Sequence, residues 1–276
     1  MATFKNTETK EVDVNGTKFA YRELGQKGSI PVLFLHHLTA VLEDWDPSVI
    51  DGVAASHHVI IFDNRGVGAT EGITPSSVEE MAEDAVAFIR ALRLEKVDLF
   101  GFSLGGFVSQ VIVQRYPELV RKVVLTGTGP AGGEGISGVG AVLQESFAKA
   151  SAAGKHPKHF LFFTQTTEGQ ASADQFLSRL SERTVDRDAS VRQETIGAQI
   201  TAIDAWGLGD ASGLNTIQHP VLVANGDNDI MVPTINSFEL ARRLPNARLS
   251  IFPNAGHGGI FQHQEVFVRQ ALDFLH

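Results

Sequence analysis

A serine, a histidine and one of two aspartates in this chain have the types and the setting needed to turn a hydroxyl into a nucleophile. Ser103 stands in Gly101-Phe102-Ser103-Leu104-Gly105-Gly106, directly after the apolar run Val97-Asp98-Leu99-Phe100 and directly before Phe107-Val108-Ser109-Gln110-Val111-Ile112-Val113. Strand, Gly-x-Ser-x-Gly, helix is the setting of a nucleophile elbow, whose tight turn strains the serine backbone and leaves room only for glycine on either side. The five-residue pattern also recurs by chance, and its plainer reading is a strand-to-helix turn with a capping serine; placement between strand and helix favours the elbow. A hydroxyl is a poor nucleophile near neutral pH, so a base and a group that orients it are required. In this motif both follow the serine, acid first and histidine second. The run Val221-Leu222-Val223-Ala224 leads into Asn225-Gly226-Asp227-Asn228-Asp229, and Leu249-Ser250-Ile251-Phe252 leads into Pro253-Asn254-Ala255-Gly256-His257-Gly258-Gly259. His257, between glycines, is placed to take the Ser103 proton while Asp227 or Asp229 fixes its tautomer. One loop histidine alone reads as surface; three loops meeting at one sheet edge reverse that reading.

The elements that must position these groups are legible as short apolar runs. Val12, Val14 and Phe19, Tyr21 alternate with polar residues around Asn15-Gly16, which predicts a hairpin. Pro31–Leu35, Val59–Phe62, Val97–Phe100, Val123–Thr126, Val221–Ala224 and Leu249–Phe252 predict strands buried on both faces. Helical patterns separate several of them; the clearest runs from Ser77 to Leu92, with Ser77 and Glu80 set for a capping box and Val78, Met81, Ala85, Phe88 and Ile89 at helical spacing. Alternation of this kind predicts a mostly parallel sheet flanked by helices, with the active site on loops at the carboxyl ends of its strands. From Pro130 to about Asn215 the alternation stops and several helices follow without a strand, as in a helical cap inserted at about 131–215 between core segments of about 1–130 and 216–276.

Composition narrows the chemistry. The chain has 276 residues, 43% of them hydrophobic, enough for one large α/β domain. A formal net charge of -9, with no basic run, argues against nucleic acid. The absence of cysteine excludes disulfides, thiolate metal sites and a cysteine nucleophile. No stretch reads as a signal peptide or a membrane span, so a soluble cytoplasmic protein is the expectation, with the oligomeric state open. His36-His37, His57-His58 and His156-x-x-His159 lack the acid-flanked helical spacing of a zinc motif, and Gly66-Val67-Gly68 lacks the third glycine of a dinucleotide site. No metal or cofactor is expected.

Taken together, Leu35-His36-His37-Leu38-Thr39-Ala40, Phe62-Asp63-Asn64-Arg65-Gly66-Val67-Gly68, the elbow, Gly226-x-x-Asp229-x-x-Val232-Pro233 and Ala255-Gly256-His257 resemble the α/β-hydrolase superfamily over nearly the whole chain. The resemblance implies an α/β-hydrolase fold with a triad of Ser103, Asp229 and His257, Asp227 being the runner-up acid. It implies an oxyanion hole from the backbone N–H groups of Leu38 and Leu104. The family usually has His-Gly where this chain has His36-His37, so either the backbone angles at His37 are ordinary or its imidazole contacts substrate. Phe102 in the elbow resembles that of cofactor-free haloperoxidases and perhydrolases more than the asparagine elbow of many carbon-carbon bond hydrolases. With Phe102, His37 and the cap residue Trp206 expected to line an apolar cleft, the favoured activity is hydrolysis of a small, largely apolar carboxylic ester or lactone through an acyl-enzyme. Haloperoxidase or carbon-carbon bond chemistry, and a ligand receptor that keeps the triad, are the alternatives.

Overall fold

A computed structural model describes residues 3–276. Strands β1 (Lys10–Val14) and β2 (Thr17–Leu24) form the hairpin, with Val14 opposite Thr17 and Asn15 and Gly16 both left-handed at φ 54° and 86°. Two positive φ values in succession match the right-handed twist of the flanking strands. Strands β3 (Val32–Leu35), β4 (Val59–Phe62), β5 (Val97–Phe102), β6 (Val120–Thr126), β7 (Val221–Gly226) and β8 (Ala247–Phe252) complete an eight-stranded sheet of order β1-β2-β4-β3-β5-β6-β7-β8. Pairings from β4 across to β8 are parallel, and the hairpin joins antiparallel through β2.

Helices α1 (Pro47–Ala54), α2 (Val78–Ala91) and α3 (Leu104–Arg115) follow β3, β4 and β5. α2 starts where Ser77 Oγ accepts the Glu80 N–H at 3.3 Å and buries Val78, Met81, Ala85, Phe88 and Ile89. α3 stops at Arg115, two residues before Pro117, whose ring cannot continue it. Helices α4 (Val139–Ala153), α5 (Lys158–Leu161), α6 (Thr167–Leu180) and α7 (Gln193–Gly207) stand in succession between β6 and β7, and we refer to them as the cap. Helix α8 (Ile235–Arg243) follows β7, and α9 (Gly259–Gln262) and α10 (Gln264–Leu275) follow β8.

β3, β4, β5 and β7 are buried at every residue. β8 departs from the expected two-sided burial: it is the sheet edge, and Leu249 is 38% exposed. Beneath the site Phe34 stacks on Phe100 with ring centroids 4.2 Å apart, and Trp45 meets both edge-on. Burial of each such ring contributes about 1.5–3 kcal/mol, which makes this layer a rigid base for the loops above it. Strand order reverses between β3 and β5, which lie side by side with Leu35 opposite Gly101. The loops leaving these two strands therefore open a crevice at the carboxyl edge, the place where open α/β sheets bind ligands.

Candidate active site

Ser103 sits at the tip of the β5–α3 turn with φ 55° and ψ −117°, a backbone conformation forbidding to a residue with a Cβ. Four hydrogen bonds hold it there: its N–H donates to Thr126 O (2.9 Å), and its carbonyl accepts from Gly106 N–H (2.8 Å), Thr128 Oγ1 (2.9 Å) and, at longer range, Phe107 N–H (3.4 Å). A Cβ on Gly101 would lie 2.4 Å from Gly105 O, and one on Gly105 would lie 2.0 Å from Leu35 O, so both glycines are required by contact.

His257 and Asp229 come from the loops after β8 and β7. His257 Nδ1–H donates to Asp229 Oδ2 at 2.8 Å, while Asp229 Oδ1 accepts the backbone N–H groups of Met231 (2.8 Å) and Val232 (3.0 Å). This leaves Nε2 as the basic nitrogen. Asp227 points elsewhere, its Oδ1 accepting from Ala255 N–H (3.1 Å) and the Asn228 amide (2.6 Å). Ser103 and His257 line one cavity of about 490 Å³. Ser103 Oγ makes no hydrogen bond among the described residues, and neither do the N–H groups of Leu38 and Leu104. Leu38 borders the same cavity and Leu104 opens α3 directly after Ser103, where a helix leaves its first N–H groups unpaired.

The model of the alpha/beta hydrolase fold family matches residues 30–264, which include all of these groups. The chain belongs to that family. An alpha/beta hydrolase fold protein from Chitinophaga pinensis is 40% identical, with a TM-score of 0.93 over 99% of both chains. A non-heme chloroperoxidase of Streptomyces lividans is 26% identical over 95% of this chain and 97% of its own length. A 2-hydroxy-6-oxo-6-phenylhexa-2,4-dienoate hydrolase of Burkholderia cepacia is 27% identical over 81% of this chain and 78% of its own.

His37 of this hydrolase is not in the left-handed region that would call for glycine, and the left-handed residue of its loop is Thr39 at φ 64°. It also lines the cavity, so the two readings of His37 are compatible. Its Nδ1–H donates to Leu38 O at 2.7 Å, and its buried Nε2 has no partner. Burial, together with the Lys158 cation, pushes its pKa down to about 3, so it stands in the cavity as a neutral acceptor.

Two expected lining residues lie elsewhere. Phe102 is fully buried behind the histidines, its ring 4.8 Å from that of His257 and 5.1 Å from that of His37, because β5 turns it into the aromatic layer. Trp206, at the end of α7, stacks on Phe107 at 5.3 Å and donates from Nε1 to Gly129 O at 3.3 Å, outside the cavity.

The hydrolase's cavity is also more polar than expected. Leu161, Phe162 and Met231 line it, yet so do Glu43, Asp44, Lys158, Arg187 and Asp188. Burial alone would raise Asp44, but the Lys158 ammonium hydrogen-bonded to it brings it down to about 2. Neighbouring acids in the β3–α1 loop are likewise matched by cap cations. Arg179 grips Asp46 through Nε (2.8 Å) and Nη2 (2.6 Å), and Arg183 lies 3.5 Å from Glu43, which also takes Arg22 at 2.5 Å. The acid run Glu43-Asp44-Trp45-Asp46 was visible in the sequence, but partners more than a hundred residues away were not. Among the described residues no helix is long and apolar enough to cross a membrane, and no three metal-ligating side chains cluster.

Proposed function

We propose that the chain is a serine hydrolase that cleaves a small carboxylic ester or lactone through an acyl-enzyme, with Ser103 as nucleophile, His257 as base and Asp229 as its orienting acid. The observation that carries this reading is the buried His257–Asp229 hydrogen bond, with His257 lining a cavity shared with a strained Ser103. His257 Nε2 takes the hydroxyl proton as Oγ attacks the acyl carbon. Leu38 and Leu104 N–H groups receive the charge that develops on the carbonyl oxygen, and a single such donor is worth about a hundred- to a thousandfold in rate. The tetrahedral adduct then collapses, and the imidazolium gives its proton to the departing alkoxide. Water repeats the sequence: His257 accepts its proton, hydroxide adds to the acyl carbon, and Ser103 leaves with the proton returned.

The charged residues around the cavity shift the preferred substrate from a largely apolar ester or lactone to one with an apolar part against Leu161, Phe162 and Met231 and a polar function elsewhere. The experiment is turnover of short p-nitrophenyl esters and of lactones by the wild type and Ser103→Ala, with fluorophosphonate labelling mapped by mass spectrometry. Many turnovers abolished by the substitution, and label on Ser103, are expected. A single slow burst would favour a receptor, and label on another residue would end the assignment.

A further inference from the structure

The backbone N–H of Leu38 belongs to a four-residue turn from His37 to Ala40, closed by Ala40 N–H donating to His37 O at 3.2 Å. Thr39, its third residue, is at φ 64°, while Leu38 is not left-handed, which is the pattern of a type II turn. That position suits glycine or asparagine, and a β-branched threonine there is strained. The ordinary escape is rotation of the peptide between the two central residues by about 150° in ψ, which gives a type I turn and returns the third residue to negative φ.

Both ends of that peptide are tied down. The Leu38 carbonyl accepts from His37 Nδ1–H at 2.7 Å, and the Thr39 N–H donates to Gln199 Oε1 at 2.9 Å. Gln199 is fully buried in the cap helix α7, and its Nε2 has no partner, so the only described hydrogen bond of its side chain is the one its Oε1 accepts from Thr39.

We propose that His37 and Gln199 are positioning residues that lock the Leu38–Thr39 peptide against this flip, hold the Leu38 N–H on the oxyanion, and so make turnover depend on the docked cap. The proposal rests on the serine hydrolase reading above. A flip would turn the Leu38 carbonyl dipole around beside the N–H that receives negative charge, and would let Leu38 itself shift. Misplacement of a catalytic group by about 1 Å can cost about a hundredfold. His37 also gains a purpose that the family's glycine could not serve, because glycine has no side-chain donor for the Leu38 carbonyl.

The test compares the wild type, Gln199→Leu and the double variant Gln199→Leu/Thr39→Gly. Gln199→Leu removes the acceptor at similar volume. Steady-state kinetics with p-nitrophenyl butyrate should show kcat reduced about tenfold to a hundredfold with KM within about twofold, as when an interaction made only in the transition state is weakened. Adding Thr39→Gly should recover at least about threefold of that loss, since glycine holds the left-handed conformation without a lock. Thr39 amide exchange, followed by NMR, should be slow in the wild type and fast in Gln199→Leu. If Gln199→Leu only lowers the Tm while kcat per labelled site is unchanged, or if Thr39→Gly recovers nothing, the lock is overturned. Fast exchange of Thr39 in the wild type would overturn it as well. A wild type that fails to acylate Ser103 while Thr39 responds as described would refute the hydrolase reading and the catalytic part of the proposal, and would leave the turn geometry standing.

Discussion

Ser103 carries a cost that can be measured apart from catalysis. Its backbone, at φ 55° and ψ −117°, lies where only glycine is comfortable. Holding a residue with a Cβ in such a region costs about 1–3 kcal/mol. Ser103→Ala removes the hydroxyl and keeps that strain; Ser103→Gly removes both. Glycine gives back about 0.5–1 kcal/mol through the greater freedom of its unfolded chain. Little packing is lost with the Cβ, because Ser103 borders the cavity. The glycine variant should therefore be more stable than the alanine variant by about 0.5–2 kcal/mol. For a chain of 276 residues, an unfolding entropy of about 2.1 cal/mol/K per residue converts this to a Tm higher by about 1–3 °C. Differential scanning calorimetry of the two inactive variants under one condition reads the gap directly. A glycine variant melting at or below the alanine variant would refute the claim that the fold holds Ser103 under strain.

Three further outcomes follow from the site. Asp229→Asn should lower kcat by about 10³–10⁴-fold because the wrong imidazole tautomer is favoured, whereas Asp227→Asn should cost less than about tenfold; kcat of the two variants decides between the acids. Burial, with the neighbouring Glu43 charge, raises Asp188 from 3.8 to about 6, against the opposing Arg22, and Asp63 beside it is raised well above the usual carboxylate range. The folded state thus holds more protons than the unfolded one between these values, so this group's contribution to stability is present below about pH 4 and lost as pH rises through about 6. In Asp188→Asn, Tm against pH should lose that fall and exceed the wild type above pH 6. Trp206→Leu should lower stability by about 1–3 kcal/mol through lost stacking on Phe107, with the ratio of kcat/KM between two esters unchanged; a shifted ratio would put the indole in the cleft after all.

Much of this architecture could be read from residue order because backbone constraints leave local marks. The Asn15-Gly16 hairpin, the glycines flanking Ser103 and the proline after α3 each announce a turn or a stop through steric limits that act within a few residues. The strands β3, β4, β5 and β7 declare themselves as unbroken apolar runs because both their faces are covered. β8 looks the same over four residues but lies at the sheet edge, a fact of order across the sheet that its own composition does not carry. Phe102 and Trp206 were equally opaque, since an aromatic side chain serves a core and a cleft alike and only the strand or helix phase decides which. The charged cavity wall leaves no local mark in the sequence for another reason. Asp44 and Lys158 are separated by 114 residues, so neither sits in a pattern that names its partner. Thr39 was hidden most completely, because nothing marks a β-branched residue as left-handed until the side chains that hold it are in place.

The acids of the β3–α1 loop and the basic residues above them also bear on how new specificities could arise in this lineage. Exchange of helical insertions between related hydrolases would be the direct way to reshape a substrate cleft. Here, a foreign insertion without counterparts of Lys158, Arg179 and Arg183 would strand Asp46 and Glu43 in the interior with their charges wholly or partly uncompensated, and removing one partner of a buried pair costs about 3–5 kcal/mol. The loop and the insertion are thus one heritable unit: a viable chimera must carry residues 43–46 together with its helices, or neutralise those acids first.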